Sequence, residues 1–354
     1  MFQLQFEDQV FKFSTNFQPS REDLPDFVQE ALSFCLAWME GKSEFTQQTS
    51  GSTGAPKKIQ ITRNQMESSA KATGDFFKIL PEDKLLCCLN TSYIAGKMML
   101  VRAMVWNCPI RLVAPSSKPL EDLEENFDFV AMVPLQVETS ISNSISLKKL
   151  QKIKHLIIGG APISSGLHQE IAENQLHAWQ TYGMTETVSH VALAKINTGE
   201  LIYEALPQVK LGQDERGALW VKAEMSQNQK VQTNDIVALI SQSSFQWLGR
   251  ADFAINSGGI KIFPEALEKK VESQIRSYFP GSRYFFFGKK DNKLGERLIL
   301  ILEAEKEEKN AALLMENLKT TLDRYENPKE IYFSSKFSMT ESGKINRKQT
   351  FERL

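Results

Sequence analysis

The stretch Thr49-Ser50-Gly51-Ser52-Thr53-Gly54-Ala55-Pro56-Lys57 gathers more chemically useful groups than any other part of the chain. Glycines let backbone N–H groups converge on an anion, the hydroxyls of Ser50, Ser52 and Thr53 add donors, and Lys57 supplies a point charge. Together they describe a cradle for phosphate. Pro56 occupies the place where the pattern G-x-x-x-x-G-K-[ST] needs its second glycine, so a P-loop of that kind is disfavoured. A flexible Ser/Thr/Gly linker is the competing reading, but a linker has no use for Pro-Lys directly after two spaced glycines. The four histidines, His155, His168, His177 and His190, show neither metal-ligand nor triad spacing. Cys35, Cys87, Cys88 and Cys108 contain no Cys-x-x-Cys pair, so a zinc knuckle or a disulfide framework is not expected and a reducing compartment is.

A phosphate loop needs a scaffold. It follows a predicted strand over Glu44 to Gln48 and precedes the segment KKIQIT. Helical periodicity runs over 26–40 and again over 64–80, where Pro81 stops it. Short apolar runs then alternate with helical stretches: strands at 85–90, 110–113, 127–133 and 155–160, helices at 95–107 and 164–174. That alternation predicts βαβ units and a parallel sheet. From about residue 190 the pattern becomes consecutive strands (188–196, 217–223, 230–240, 244–249), an antiparallel section. After Asp252 a glycine turn (256–259) leads to a helix over 264–277, strands at 283–288 and 297–303, a helix over 308–323 and a strand at 330–334. The fold class is therefore α/β, with a large domain over 1–249, a junction at 250–252 and a small α+β domain over 253–354.

Composition narrows the function classes. The 354 residues carry 42 Lys+Arg against 43 Asp+Glu, a net charge of −1, which weighs against partnership with nucleic acid or an anionic membrane. The start, MFQLQFEDQVFKFS, alternates apolar and polar residues and reads as a strand or hairpin rather than a signal peptide. The longest apolar runs are too short to span a bilayer, so a cytoplasmic protein is expected.

Taken in order, the loop and five further motifs resemble the adenylate-forming superfamily of acyl-CoA and aryl-CoA synthetases, peptide-synthetase adenylation domains and luciferases. The others are Gly159-Gly160-Ala161-Pro162, Thr181-Tyr182-Gly183-Met184-Thr185-Glu186-Thr187, Thr233-Asn234-Asp235 (Asn replacing Gly), Gly249-Arg250-Ala251-Asp252 with Ser257 to Ile262 and Pro264-Glu265, and Thr340-Glu341-Ser342-Gly343-Lys344-Ile345. The resemblance implies that a carboxylate attacks the α-phosphate of ATP with release of pyrophosphate, and that coenzyme A then displaces AMP. It also implies roles. Ser50, Gly51, Ser52, Thr53, Gly54 and Lys57 hold the outer phosphates. Thr185 donates to the α-phosphate, Glu186 helps hold Mg²⁺, and Tyr182 packs on adenine beside Gly160, Ala161, Gly183 and Met184. Asp235 accepts from the ribose hydroxyls and Arg250 reaches ribose or phosphate. Lys344 is the adenylation lysine, Asp252 the hinge on which the small domain turns, and Gly258, Gly259 and Lys261 line the thiol channel.

Specificity is less defined. The segment 91–99 stands where the family often has an aromatic-His-x-x-Gly motif, with Tyr93 in place of the histidine. The segments SYIAGKMM and YGMTETVSHVA resemble those of menaquinone-pathway members that join o-succinylbenzoate to CoA. Such an acid keeps a second carboxylate, which wants a cationic or hydrogen-bonding partner. Lys97 and Ser189 are the candidates. Alternatives are a ligase for another small acid, a carrier-loading adenylation domain, or a non-catalytic adenylate-binding protein. Only 48 residues precede Thr49, fewer than in most relatives. A reduced N-terminal subdomain is therefore expected. Phe2, Leu4, Phe6 and helix 26–40 would cover the exposed core, and the acid pocket would be small or completed by a second copy of the chain.

Overall fold

The computed structural model describes residues 2–13, 24–48, 58–339 and 345–354. The phosphate loop, with Ser50, Gly51, Ser52, Thr53, Gly54 and Lys57, and the lysine Lys344 lie outside the described residues.

Apolar residues on alternate sides of a strand feed two cores at once. Leu85 and Cys87 of the strand Leu85–Cys87 join one hydrophobic cluster, and Leu86 joins another. The same split holds for Phe129 and Ala131 against Val130 and Met132, and for Ile157 against Leu156 and Ile158. Strands buried on both faces read as unbroken apolar runs, which is why these segments show no alternation. Helices Asp26–Met39, Arg63–Phe77 and Ile94–Trp106 supply residues to the first cluster. Pro134–Ile141, Ser144–Leu150 and Ser165–Glu173 supply Val137, Leu150, Leu167 and Ile171 to the second.

Thirteen of the described strands form one mixed sheet, and Glu44–Gln48 pairs with Lys58–Thr62 apart from it. Its parallel part runs from Ala178–Gly183 through His155–Ile158, Phe129–Met132 and Leu85–Cys87 to Pro109–Leu112. The opening hairpin, Gln3–Phe6 with Gln9–Phe11, adds to the far edge, its first strand parallel to Pro109–Leu112. Phe2, Leu4, Phe6 and Phe11 thereby enter the first core beside Val28 and Leu32, as the alternating start requires. On the other side the chain continues as antiparallel strands, including Ile202–Ala205 and Lys210–Gln213, which are too short to stand out by pattern.

The small domain is built on Gly295–Glu303, antiparallel to Tyr284–Asp291 and parallel to Ile331–Ser334. Leu298, Leu300 and Leu302 face one cluster, Ile299 and Ile301 another. The helix expected over 264–277 is two helices, Pro264–Lys270 and Glu272–Tyr278. Val271 between them leaves helical geometry at ψ 6°. The break lets Leu267, Val271 and Ile275 share the small core while Glu272 turns towards the large domain. There its carboxylate accepts from the Ser165 N–H at 2.8 Å and from the Ser165 hydroxyl, at the start of helix Ser165–Glu173. No helix among the described residues is long and apolar enough to cross a membrane.

Candidate active site

A cavity of about 480 Å³ opens at the carboxyl ends of the parallel strands, where open α/β sheets place their ligands. Its wall is made by strand ends and the turns that follow: Met132 and Val133, Gly159 to Pro162, and Thr181 to Thr185. Gly160 turns the chain at φ +83°, in the left-handed region that glycine tolerates. Gln180, 4% exposed, clamps this turn by donating to Ala161 O at 3.2 Å and accepting from Ile163 N at 3.2 Å.

After Gly183 the chain makes a tight corner. A Cβ on Gly183 would stand 2.5 Å from Ser189 O, so only glycine allows the two strands to approach there. Thr185–Thr187 forms one short helical turn. Val188 then sits at φ 66°, ψ −50°, with Ser189 N donating to Thr187 O at 2.7 Å. This is a γ-turn centred on a β-branched residue, a strained arrangement costing on the order of 1–3 kcal/mol. The buried Thr187 braces it, its hydroxyl 2.8 Å from Ser189 O. The corner delivers Ser189 and His190 to the cavity wall.

On the antiparallel side of the cavity, Asp235 lies opposite Arg250 in the ladder. Its carboxylate accepts from Tyr182 Oη at 2.7 Å and from Trp247 Nε1 at 3.2 Å, with Arg250 3.6 Å away. Tyr182 and Trp247 line the cavity, and Asp235 stands one hydrogen bond behind them. Each carboxylate oxygen retains a further lone pair for a hydroxyl. Burial, reinforced by Asp235, pushes the Tyr182 phenol well above its usual range, so it stays a donor. Arg250 also pairs with Asp252 at 2.7 Å, and Asn234 donates to Asp252 at 3.3 Å. The asparagine in place of glycine thus ties the junction residue to the nucleotide strand.

The expected acid-side residues divide. Ser189 is on the wall. Tyr93 is 62% exposed and does not line the cavity. Lys97 is also off the wall, because its Nζ is drawn to Gln47 Oε1 at 2.9 Å and lies over the Phe34 ring. The cation at the wall is Arg102, which the sequence reading passed over as a helix residue. It is 2% exposed, and its Nη2 donates to Ser189 Oγ at 3.0 Å. Its Nε has no hydrogen-bond partner, and no carboxylate among the described residues pairs with it. Burial pulls its pKa down to about 10, which leaves it charged at neutral pH. An Arg inside the apolar run Met98 to Val105 of this helix was the available signal.

Thr185 lines the cavity, and Glu186 beside it is exposed. Gly258 and Gly259, at φ +60° and +84°, form the two-residue turn of the hairpin Ile255–Ser257/Ile260–Ile262, with Lys261 exposed on its second strand. This hairpin is not part of the cavity wall.

The profile described as AMP-binding enzyme matches residues 45–211. An acyl-CoA synthetase (AMP-forming)/AMP-acid ligase II-like protein from Dyadobacter fermentans is 38% identical, with a TM-score of 0.65, over 95% of this chain and 96% of that one. The o-succinylbenzoate coenzyme A synthetase of Bacillus subtilis, solved with ATP and magnesium, has a TM-score of 0.69 at 21% identity, over 86% of this chain and 69% of that one. The 2-succinylbenzoate–CoA ligase of Listeria monocytogenes is 27% identical, over 92% of this chain and 73% of its own length. That of Enterococcus faecalis is also 27% identical, over 84% and 67%. Sheet, strand-end cavity and full-length likeness agree: the chain belongs to the family of AMP-binding, adenylate-forming enzymes.

Proposed function

We propose that this protein is an ATP-dependent acid–CoA ligase whose acid is o-succinylbenzoate. The observation that carries the choice of acid is Arg102: a buried guanidinium at the wall of a largely apolar cavity, with no carboxylate among the described residues to neutralise it. Buried charges are paired, and here the partner is the substrate's second carboxylate, received in the planar fork that guanidinium offers. Leu89, Ile94 and Met132 supply apolar surface for an aromatic ring. Curated relatives named 2-succinylbenzoate–CoA ligase support the same acid.

The carboxylate to be activated is already ionised at neutral pH, so no strong base is required. The task is to bring two anions together and to exclude water. Thr185 donates to the α-phosphate. Tyr182, flanked by Gly160, Ala161, Gly183 and Met184, packs on adenine. Asp235 takes the ribose hydroxyls and Arg250 steadies them. The loop of Ser50, Gly51, Ser52, Thr53, Gly54 and Lys57 holds the outer phosphates, and Lys344 stabilises charge growing between acid and phosphate. Glu186 is a single solvent-facing carboxylate, and that donor set fits Mg²⁺, which keeps waters and phosphate oxygens as its other ligands. When bound, the ion neutralises phosphate charge. In the second half-reaction the thiol of CoA attacks the acyl-adenylate carbonyl and AMP leaves. Rotation about Asp252 brings Gly258, Gly259 and Lys261 to the thiol path.

The test is mass-spectrometric detection of the CoA thioester from a panel of acids with ATP and Mg²⁺. o-Succinylbenzoate is expected to lead the panel by kcat/KM. Preference for a monocarboxylic aryl or short-chain acid would replace this reading with a ligase for that acid.

A further inference from the structure

Behind Arg102 lies a chain of polar side chains that joins Ser189 and His190 to Thr73 of another helix. Thr73, fully buried in helix Arg63–Phe77, donates its hydroxyl proton to Ser69 O at 3.0 Å. With its only proton committed, Thr73 Oγ1 can serve His190 only as an acceptor, and His190 Nε2 lies 3.1 Å from it. The ring therefore carries its proton on Nε2 and presents a lone pair at Nδ1. That lone pair faces Arg102 Nη2 at 3.5 Å and Ser189 Oγ at 3.4 Å. Ser189 Oγ accepts from Arg102 Nη2 at 3.0 Å and keeps its own proton for Nδ1. The opposite tautomer would aim an N–H at the guanidinium hydrogens. Burial, and secondarily the charge of Arg102, holds His190 well below its ordinary pKa, in keeping with a neutral ring.

We propose that His190 is a positioning residue for the acid: through Nδ1, and with its tautomer set by Thr73, it orients Arg102 towards the substrate's second carboxylate. The inference rests on the acid reading given above. Ser189 and His190 each hold the same guanidinium nitrogen from one side, while Nη1 lies 3.6 Å from the sulfur of Met99. Loss of the imidazole would leave the guanidinium intact but free to swing, a fault that shows in acid affinity rather than in ATP affinity or turnover.

Two measurements test this. The first is long-range ¹H–¹⁵N correlation on histidine-labelled protein at pH 7, which reports the tautomer without any substrate. A neutral His190 protonated on Nε2 is expected, and a ring protonated on Nδ1 would overturn the proposal. The second is steady-state kinetics with o-succinylbenzoate. His190→Phe is expected to raise the acid KM about tenfold, the loss of one hydrogen bond to a charged group, with kcat and the ATP KM changed less than about twofold. His190→Asn, which keeps an acceptor where Nδ1 was, should recover most of the loss. Thr73→Val, which removes only the tautomer anchor, should raise the acid KM severalfold and covers the case in which His190→Phe does not fold. An acid KM unchanged in His190→Phe and Thr73→Val but raised in Arg102→Met would overturn the positioning role and leave the acid reading standing. An acid KM unchanged in all three would bring down both.

Discussion

Arg102→Met should move stability and substrate affinity in opposite directions. In the free protein the guanidinium is 2% exposed, bonds Ser189 at 3.0 Å and His190 at 3.5 Å, and leaves Nε without a partner. The cost of removing this charge from water is thus only partly offset, and no carboxylate of the described residues contributes. Methionine has a similar length, no charge and a flexible stem that fills irregular space. Replacing buried ions by apolar residues of similar volume is commonly neutral or stabilising by about 1–4 kcal/mol. The urea midpoint of Arg102→Met should therefore equal or exceed that of the wild type. The same change removes hydrogen bonds to the substrate's second carboxylate worth about 1.5–3 kcal/mol. The KM for o-succinylbenzoate should then rise by roughly one to two orders of magnitude, and the KM for ATP should not move. Denaturation curves and steady-state kinetics on one preparation read both signs. A marked loss of stability with an unaltered acid KM would refute the reasoning, because Arg102 would then be a structural ion.

The remaining predictions concern the C-terminal sheet and the lysine proposed for adenylation. Arg347 forms a two-pronged pair at 2.6 and 2.8 Å with Glu268, whose side chain is 16% exposed, and partial burial pushes Glu268 up to about 7 against the pull of Arg347. Arg347→Ala should cost about 3–5 kcal/mol in urea unfolding by stranding that carboxylate, and most of the loss should return when Glu268→Gln is added. Glu272 is raised by burial but carried below its usual value by its hydrogen bonds from Ser165 and its pairing with Arg276. Its contribution to docking of the two domains is present above the unfolded carboxylate pKa and fades as pH falls through its lower folded value. Small-angle scattering below about pH 4.5 should show the wild type loosening, with no such pH step in Glu272→Gln. Lys344→Ala should nearly abolish acyl-adenylate formation while sparing thioester formation from preformed adenylate. Equal loss in both half-reactions, followed by rapid quench, would remove its assigned role.

The parts of the fold that depend on local pattern were legible in advance. The apolar runs around Leu85, Phe129 and Leu156 declared strands buried on both faces, whereas the second helix stops at Phe77, with Lys78 in left-handed geometry, short of the end that Pro81 suggested. Helices Pro134–Ile141 and Ser144–Leu150 escaped because they are short, and a proline at the first helical position of one and the Asn143 cap of the other define them better than periodicity does. The break at Val271 escaped because both helices share one apolar stripe, and only the pull of Ser165 on Glu272 separates them. In the site, Tyr182 and Asp235 were singled out from separate motifs for adenine and ribose, and the hydrogen bond that joins them at 2.7 Å is seen only in the fold. Arg102 and His190 could not be singled out. Their roles arise from burial and from a contact across 88 residues, and a sequence displays neither. Lys97 was the attractive cation in the acid segment, but which side of a helix faces a cavity is set by packing, and packing turned Lys97 towards Gln47.

The central claim is that the acid's own carboxylate attacks the α-phosphorus, and that the thiol of CoA then displaces AMP to give the thioester. Carboxyl-¹⁸O₂-labelled o-succinylbenzoate turned over with ATP, Mg²⁺ and CoA reads this bond by bond. The account predicts one ¹⁸O in each AMP released, unlabelled pyrophosphate, and a CoA thioester that retains one ¹⁸O at the activated carbonyl. Label in inorganic phosphate with ADP as the nucleotide product, or AMP without label, would contradict it.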